Sequence, residues 1–164
     1  MQLSRFSDLA LRSLMLLAVA HEKGDHLTSA QVARAVNASI GHVQKTISRL
    51  VNSGLIESRR GRNGGLSITE AGLKASVGRV LRDLEGEAEV VECEGTQPCP
   101  LAQGCRLRVA FGAAREAFFA TLDPLTVVDM VENPTREFLL TASPPMPGES
   151  STSDPAPGSS SPPR

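Results

Sequence analysis

The only thiols in the 164 residues stand on one short stretch, CEGTQPCPLAQGC, which runs from Cys93 through Cys99 to Cys105. Thiolates bind soft and borderline metals, and an odd number of cysteines cannot pair fully into disulfides within one chain. The neighbours are Gly, Pro, Gln and Glu rather than the apolar residues that surround structural cysteines. Metal binding or redox chemistry is therefore the leading reading. On a helix, residues six apart point about 240° from one another, so the three cysteines cannot line one helical face. Fully extended, the same six residues reach roughly 20 Å, far more than separates the sulfurs of one metal centre. The segment must fold back, and Gly95, Pro98, Pro100 and Gly104 suit that. No C-x2-C hook of the zinc type is present, which favours an iron–sulfur cluster over zinc, although thiolates serve both. A four-coordinate centre still needs a fourth ligand. Glu92 and Glu94, beside Cys93, are local candidates.

Composition bounds the rest of the chain. Aromatic content is 3%, with no Trp or Tyr, so the core must be built from Leu, Val, Ile, Ala and five Phe. The longest apolar segment, LALRSLMLLAVA, is broken by Arg12 and Ser13. No membrane-spanning run exists, and no basic region with a cleavage site opens the chain. These features predict a cytoplasmic protein, where structural disulfides are disfavoured. Charge is unevenly divided: residues 1–82 carry 12 Lys/Arg against 5 Asp/Glu, and residues 83–164 carry 5 against 13. That asymmetry suggests a polyanion-binding N-terminal half.

The elements that would position these residues follow from periodicity and caps. Leu11, Leu14, Leu17 and Ala18 predict a helix over 7–22, ended by Gly24. Thr28 and Gln31 form a capping box for a short helix over 29–36. Ser39 caps a third helix whose buried stripe is Val43, Ile47, Leu50 and Val51, with Gly54 as its stop. Two short helices joined by about three residues read as a helix-turn-helix. LIESRRGRNGGLSIT follows as a hairpin wing, with Asn63, Gly64 and Gly65 supplying positive-φ positions. A helix over 76–85 leads to the acidic run EGEAEVVECE and the cysteines. Another helix, over 105–122, carries Leu107, Phe111, Ala114 and Phe118 at heptad-like spacing, the seam of a homodimer. Thr126 and Asp129 cap a last short helix. From Ser143 onward, 16 of 22 residues are Pro, Ser or Gly. The fold class expected is mainly α with a small β-hairpin wing: a winged helix-turn-helix domain over 1–86, an iron–sulfur loop and dimerisation helix over 87–135, and a tail over 136–164 disordered by composition.

In a winged helix-turn-helix the second helix enters the major groove. His42, Lys45 and Arg49 share one polar stripe of the third helix, flanked by Ser39, Gln44, Thr46 and Ser48. Lys and Arg donate to guanine acceptors, and Gln or His can read base edges or hold phosphate. Ser29 and Gln31 offer donors to the DNA backbone, and Arg59, Arg60 and Arg62 place positive charge on the wing. The turn GRNGG lacks the spacing of a phosphate-binding loop and precedes a strand, so a nucleotide site is rejected. No nucleophile–base pair supports an enzyme.

FSDLALRSLMLLA, HVQKTISRLVNSGLI, RGRNGGL and the evenly spaced cysteines occur in the same order in a bacterial family. Over about residues 1–135 the chain resembles the iron–sulfur winged-helix repressors that include NsrR and IscR, and it stands nearer the nitric-oxide-sensing branch. Members of the cluster-biogenesis branch place a His three residues after the third cysteine to complete a 2Fe–2S cluster. Here that position is Arg108, a permanent cation that cannot ligate iron. The resemblance implies instead a 4Fe–4S cluster held by Cys93, Cys99, Cys105 and Asp8, the last from the other subunit. Arg12 would pair with Asp8, and Glu85 and Asp129 would belong to the surrounding polar shell. It also implies a homodimer on palindromic double-stranded operator DNA of nitric-oxide-detoxification genes, with nitric oxide as the signal. The alternatives are a 2Fe–2S or redox- or iron-responsive regulator, an electron-transfer protein, and a zinc-stabilised DNA-binding module.

Overall fold

The computed structural model describes residues 2–61, 64–87 and 89–142. Arg62 and Asn63 of the wing and the low-complexity segment 143–164 lie outside the described residues.

Local capping sets most element boundaries. Ser4 accepts the Ser7 amide to start α1 (Arg5–Glu22), and Thr28 and Gln31 make a reciprocal capping box at α2 (Ser29–Ala35). Ser39 caps α3 (Ile40–Asn52) through the His42 amide. Asn37, at φ 52°, makes the left-handed turn between α2 and α3, and Gly54, at φ 72°, ends α3. Strands β1 (Ile56–Arg59) and β2 (Gly65–Ile68) pair antiparallel with Ile56 opposite Ile68 and Arg59 opposite Gly65. A bridge between Leu27 and Leu66 adds a third backbone partner beside β2, one residue from its turn end. The wing turn departs from expectation. Positive φ falls at Gly61 and, as expected, at Gly65, but not at Gly64, which is glycine because a Cβ there would stand 2.3 Å from the Arg59 carbonyl oxygen.

Thr69 caps a single turn, α4 (Glu70–Leu73), that the sequence pattern did not suggest, and Ser76 caps α5 (Val77–Glu85). After the cysteine loop comes α6 (Arg106–Leu122), then a 3₁₀ turn at Asp129–Val131 and α7 (Thr135–Ala142). The tail expected over 136–164 is thus corrected at its start. Residues 135–142 are helical, with Leu139 and Leu140 packed on the core and Arg136 ion-paired with Glu22 of α1.

The main core gathers around α1. Its Leu9, Leu14, Leu16, Leu17 and Val19 pack with Val32, Val43, Leu50, Ile56 and Ile68. The stripe predicted on α1 proves to be nearly the whole circumference of its second half, where residues 13 to 20 are buried apart from Met15. The expected boundary at residue 86 does not divide this core, because Val127 and Val131 belong to it. A smaller cluster, Val77, Leu81 and Phe119, joins α5 to α6. There the two helices touch at a glycine: a Cβ on Gly78 would lie 2.3 Å from Asp123 Oδ1 and 2.5 Å from the Phe119 carbonyl oxygen. Gly78→Ala is expected to cost about 1–3 kcal/mol in denaturant unfolding by forcing α5 off α6. Gly41→Ala, with nothing within 4 Å of the new methyl, should instead stabilise by about 0.5–1 kcal/mol.

Candidate nucleic-acid interface and metal-ligand loop

The second helix of the helix-turn-helix buries Val43, Ile47 and Leu50 and leaves His42, Gln44, Lys45, Ser48 and Arg49 exposed. Thr46, expected beside them, is instead fully buried and donates to the His42 carbonyl, so it belongs to the core face. Ser39 is occupied as the α3 cap. Gln31 Oε1 accepts from the Thr28 amide and hydroxyl, and Ser29 is half-buried at the start of α2. Arg49 has a partner within the protein: its guanidinium donates to the Asp83 carbonyl of α5 at 3.1 Å. The arginine at the C-terminal end of the exposed polar face therefore also anchors α3 to α5. On the wing, Arg59 pairs with Glu57 at 3.3 Å and Arg60 is exposed. Arg62 is outside the described residues.

The cysteine segment folds back as its spacing requires. The Cys99 amide donates to the Cys93 carbonyl at 3.0 Å, and the Ala102 amide to that of Cys99 at the same distance. Cys105 occupies the N-cap position of α6. Cys93 is buried, while Cys99 and Cys105 are half-buried, and all three thiols are free. Burial pushes the Cys93 thiol up, and the nearby Cys99 adds to this while Arg108 opposes it. Metal binding there would have to displace a proton. Among the described residues no three His, Cys, Asp or Glu side chains stand together closely enough to hold a metal ion. The donor types nevertheless fit an iron–sulfur group: three thiols on one folded-back loop, with the fourth ligand left to a residue outside it.

Asp8 sits in the first turn of α1 and is paired with Arg12 at 2.8 Å, one turn on. Glu85, at the end of α5, accepts the Ser4 amide at 2.9 Å and so secures the start of the helix that carries Asp8. Burial raises the Glu85 carboxyl, but hydrogen bonds from Ser7 and Ser4 and the charge of Arg115 hold it, on balance, below its usual range. Asp129 accepts from the Thr126 amide and hydroxyl, both at 2.7 Å, in the capping box its spacing predicts. Those Thr126 bonds depress its pKa.

Sequence reasoning missed the junction between the two regions. Arg82 of α5 forks onto Asp123 at 2.5 and 3.0 Å and also reaches Glu116 at 2.5 Å. Its guanidinium lies 5.2 Å from the centre of the Phe119 ring, with that of Arg115 at 4.7 Å. The only sequence sign was the excess of acids in the second half.

Two helices in helix-turn-helix order, an exposed basic second helix and a basic hairpin define a winged-helix DNA-binding protein rather than an enzyme. A family model described as Rrf2, an iron-dependent transcriptional regulator, matches residues 3–133, and the chain belongs to that family. It is 54% identical over 140 residues to the HTH-type transcriptional repressor NsrR of Streptomyces coelicolor, covering 85% of this chain and 95% of that protein. With the HTH-type transcriptional regulator NsrR of Geobacillus kaustophilus the identity is 35% over 135 residues, covering 81% and 91%. Among solved structures, Staphylococcus aureus CymR superposes with a TM-score of 0.60 at 25% identity, covering 79% of this chain and 97% of that one. T. potens IscR, at 19% identity, superposes with a TM-score of 0.62 over 80% and 86% and supports the fold. No described helix is long and apolar enough to cross a membrane.

The Arg82–Asp123 fork predicts a pH signature. Arg82 holds the Asp123 carboxyl below its usual range. Asp123 thus contributes stability above its unfolded pKa of about 4, and this is lost as pH falls through the depressed folded value. Measured by urea unfolding, Arg82→Gln should be less stable than wild type at pH 7 and should converge on it in acid.

Proposed function

We propose that the chain is a nitric-oxide-sensing transcriptional repressor. As a homodimer carrying a 4Fe–4S cluster, it would bind palindromic operator DNA of nitric-oxide-detoxification genes and release it when the cluster is nitrosylated. The observation that carries this reading is the loop of three free thiols, folded on itself and joined through α6 to a winged helix. The 54% identity to a repressor named NsrR adds its weight. Cys93, Cys99 and Cys105 would supply three ligands, and Asp8 of the second copy the fourth. Arg108 is engaged by Glu89 and Glu94, which favours this ligand set over one with a nitrogen donor at that position.

When bound, the cluster supplies an iron corner where nitric oxide can compete with a protein ligand. A carboxylate is a harder and weaker partner for iron than a thiolate, so Asp8 would be the most easily displaced of the four ligands. Arg12, paired with Asp8 at 2.8 Å, would hold that carboxylate whenever it is not on iron. Asp8 belongs to α1, against which α3 packs, so a change at its first turn can bias the reading helix. A difference of a few kcal/mol between two arrangements is enough to change occupancy. His42, Gln44, Lys45 and Arg49 would face the major groove, with Ser29, Gln31 and Ser39 near the phosphates and Arg59, Arg60 and Arg62 on the wing. Support for a dimer comes from α6. Phe119 is its one buried residue, while Leu107 is 59% and Val109 73% exposed. The seam predicted at Leu107, Phe111, Ala114 and Phe118 is exposed or half-buried within one chain.

The test is an anaerobic absorption spectrum before and after nitric oxide, with binding measured on the same samples to a duplex selected from a random library. Visible absorption and tight binding should disappear together on addition of the gas. A colourless iron-free protein that binds and releases its duplex normally would end this reading. Iron and sulfide counts distinguish a 2Fe–2S centre. Alanine at Cys93, Cys99 or Cys105 should abolish both signals, and Asp8→Ala should alter the spectrum. Arg59→Ala or Arg60→Ala should lower the slope of log affinity against log salt by about 0.9 for each phosphate no longer neutralised.

A further inference from the structure

Arg108 lies in the first turn of α6, and its guanidinium reaches the start of the cysteine loop, on either side of Cys93. It makes 2.8 and 2.5 Å hydrogen bonds to the two oxygens of Glu89 and another of 2.8 Å to Glu94. These two carboxylates precede and follow Cys93, so one side chain holds both arms of the chain around that thiol. One heptad further along α6, Arg115 donates to the Gly86 carbonyl at 2.5 Å. Two arginines at i and i+7 thus hold Gly86, Glu89 and Glu94 along one side of the helix. Beside them, a recess of about 470 Å³ is lined by Glu87, Glu89, Glu92, Cys93, Glu94 and Arg108. Four carboxylates there face a single cation, and without it Glu89 and Glu94 would repel each other across the loop.

We propose that Arg108 is a positioning residue for the cysteine loop: its fork onto Glu89 and Glu94 shapes the loop before any metal arrives and limits access to the Cys93 sulfur. The loop-closing role stands on the geometry of the chain alone. Its consequence for how fast a cluster is gained and lost rests on the iron–sulfur reading above. A planar fork reaching two carboxylates is not replaced by a lysine, whose point charge lacks the second arm.

The experiment uses the reduced, metal-free full chain. Alkylation of each cysteine by iodoacetamide is followed by peptide mass spectrometry, and each rate is divided by that of the same variant in denaturant. Arg108→Ala should speed Cys93 alkylation by about three- to tenfold, with Arg108→Lys between it and wild type. Glu94→Gln, an exposed and mild change, should move the rate in the same direction and serves as the second variant if Arg108→Ala is globally destabilised. The sign separates positioning from simple charge: a cation acting only by its field favours the thiolate, so its removal would slow Cys93. An unchanged or slower rate in Arg108→Ala, or an Arg108→Lys rate equal to wild type, overturns the proposal whatever Glu94→Gln does, because removal of charge alone would also speed Glu94→Gln. On anaerobic reconstitution, the Arg108→Ala cluster should bleach faster than wild type in EDTA. If wild type takes up no iron, the cluster reading fails while the alkylation result still decides the loop.

Discussion

The burial of α1 on almost every side is the constraint from which the arrangement of this protein follows. A helix apolar around most of its circumference must be surrounded, and the neighbours recruited for that purpose are functional parts. α3, β2 and α5 pack against it, together with the 3₁₀ turn and α7. The reading helix, the wing and the C-terminal segments therefore share one core, with Leu14, Val43 and Val32 at its centre and inaccessible to solvent. Close-packed interiors transmit displacement instead of absorbing it. A chemical event at the first turn of α1, where Asp8 sits, is thus mechanically close to the face that would meet DNA.

A second link runs through α5. Its Asp83 carbonyl receives Arg49 from α3, its Arg82 grips Asp123 and Glu116 of the α6 region, and its Glu85 holds the Ser4 amide at the start of α1. One nine-residue helix thereby touches the reading head, the long helix and the base of α1. Two of these contacts, Arg82 with Asp123 and with Glu116, are partly exposed charge pairs, individually weak in water. Their value lies in geometry: Gly78 lets α5 lie directly on α6, and the arginine fork then fixes its rotation. Such a junction can rearrange at modest energetic cost, which suits a regulator better than a solid apolar seam would.

The cysteine loop shows a different economy. Its backbone is held by a few turn hydrogen bonds, and two of its flanking acids, Glu89 and Glu94, are gathered by Arg108 of α6. A loop rich in Gly and Pro, with four glutamates along one recess, has little apolar area to bury and little reason to close by itself. The pairing of Arg108 with Glu89 and Glu94 supplies part of that order.

Much of this was legible along the chain. Caps act over three residues, so Thr28 with Gln31 and Ser39 announce helix starts without reference to anything distant, whereas Thr126 and Asp129 make their reciprocal bonds but open only a 3₁₀ turn and not the last helix expected there. The helix-turn-helix order, the hairpin, and the need for the cysteines to fold back follow from the same short-range rules. Tertiary structure decided the rest. Thr46 is polar in type but faces the core, because helical phase outweighs one hydroxyl that can bond back to His42. Phe119, not its neighbour Phe118, is the aromatic that α5 covers. The forks of Arg82 and Arg108 span 41 and 19 residues, and no local pattern encodes which of many acids an arginine will reach. α7 escaped because its eight residues adjoin a low-complexity tail and gain their order from Leu139, Leu140 and Arg136 docking on the core. Short-range hydrogen bonds and periodicity are properties of a segment; burial and long-range charge pairing are properties of the packed whole.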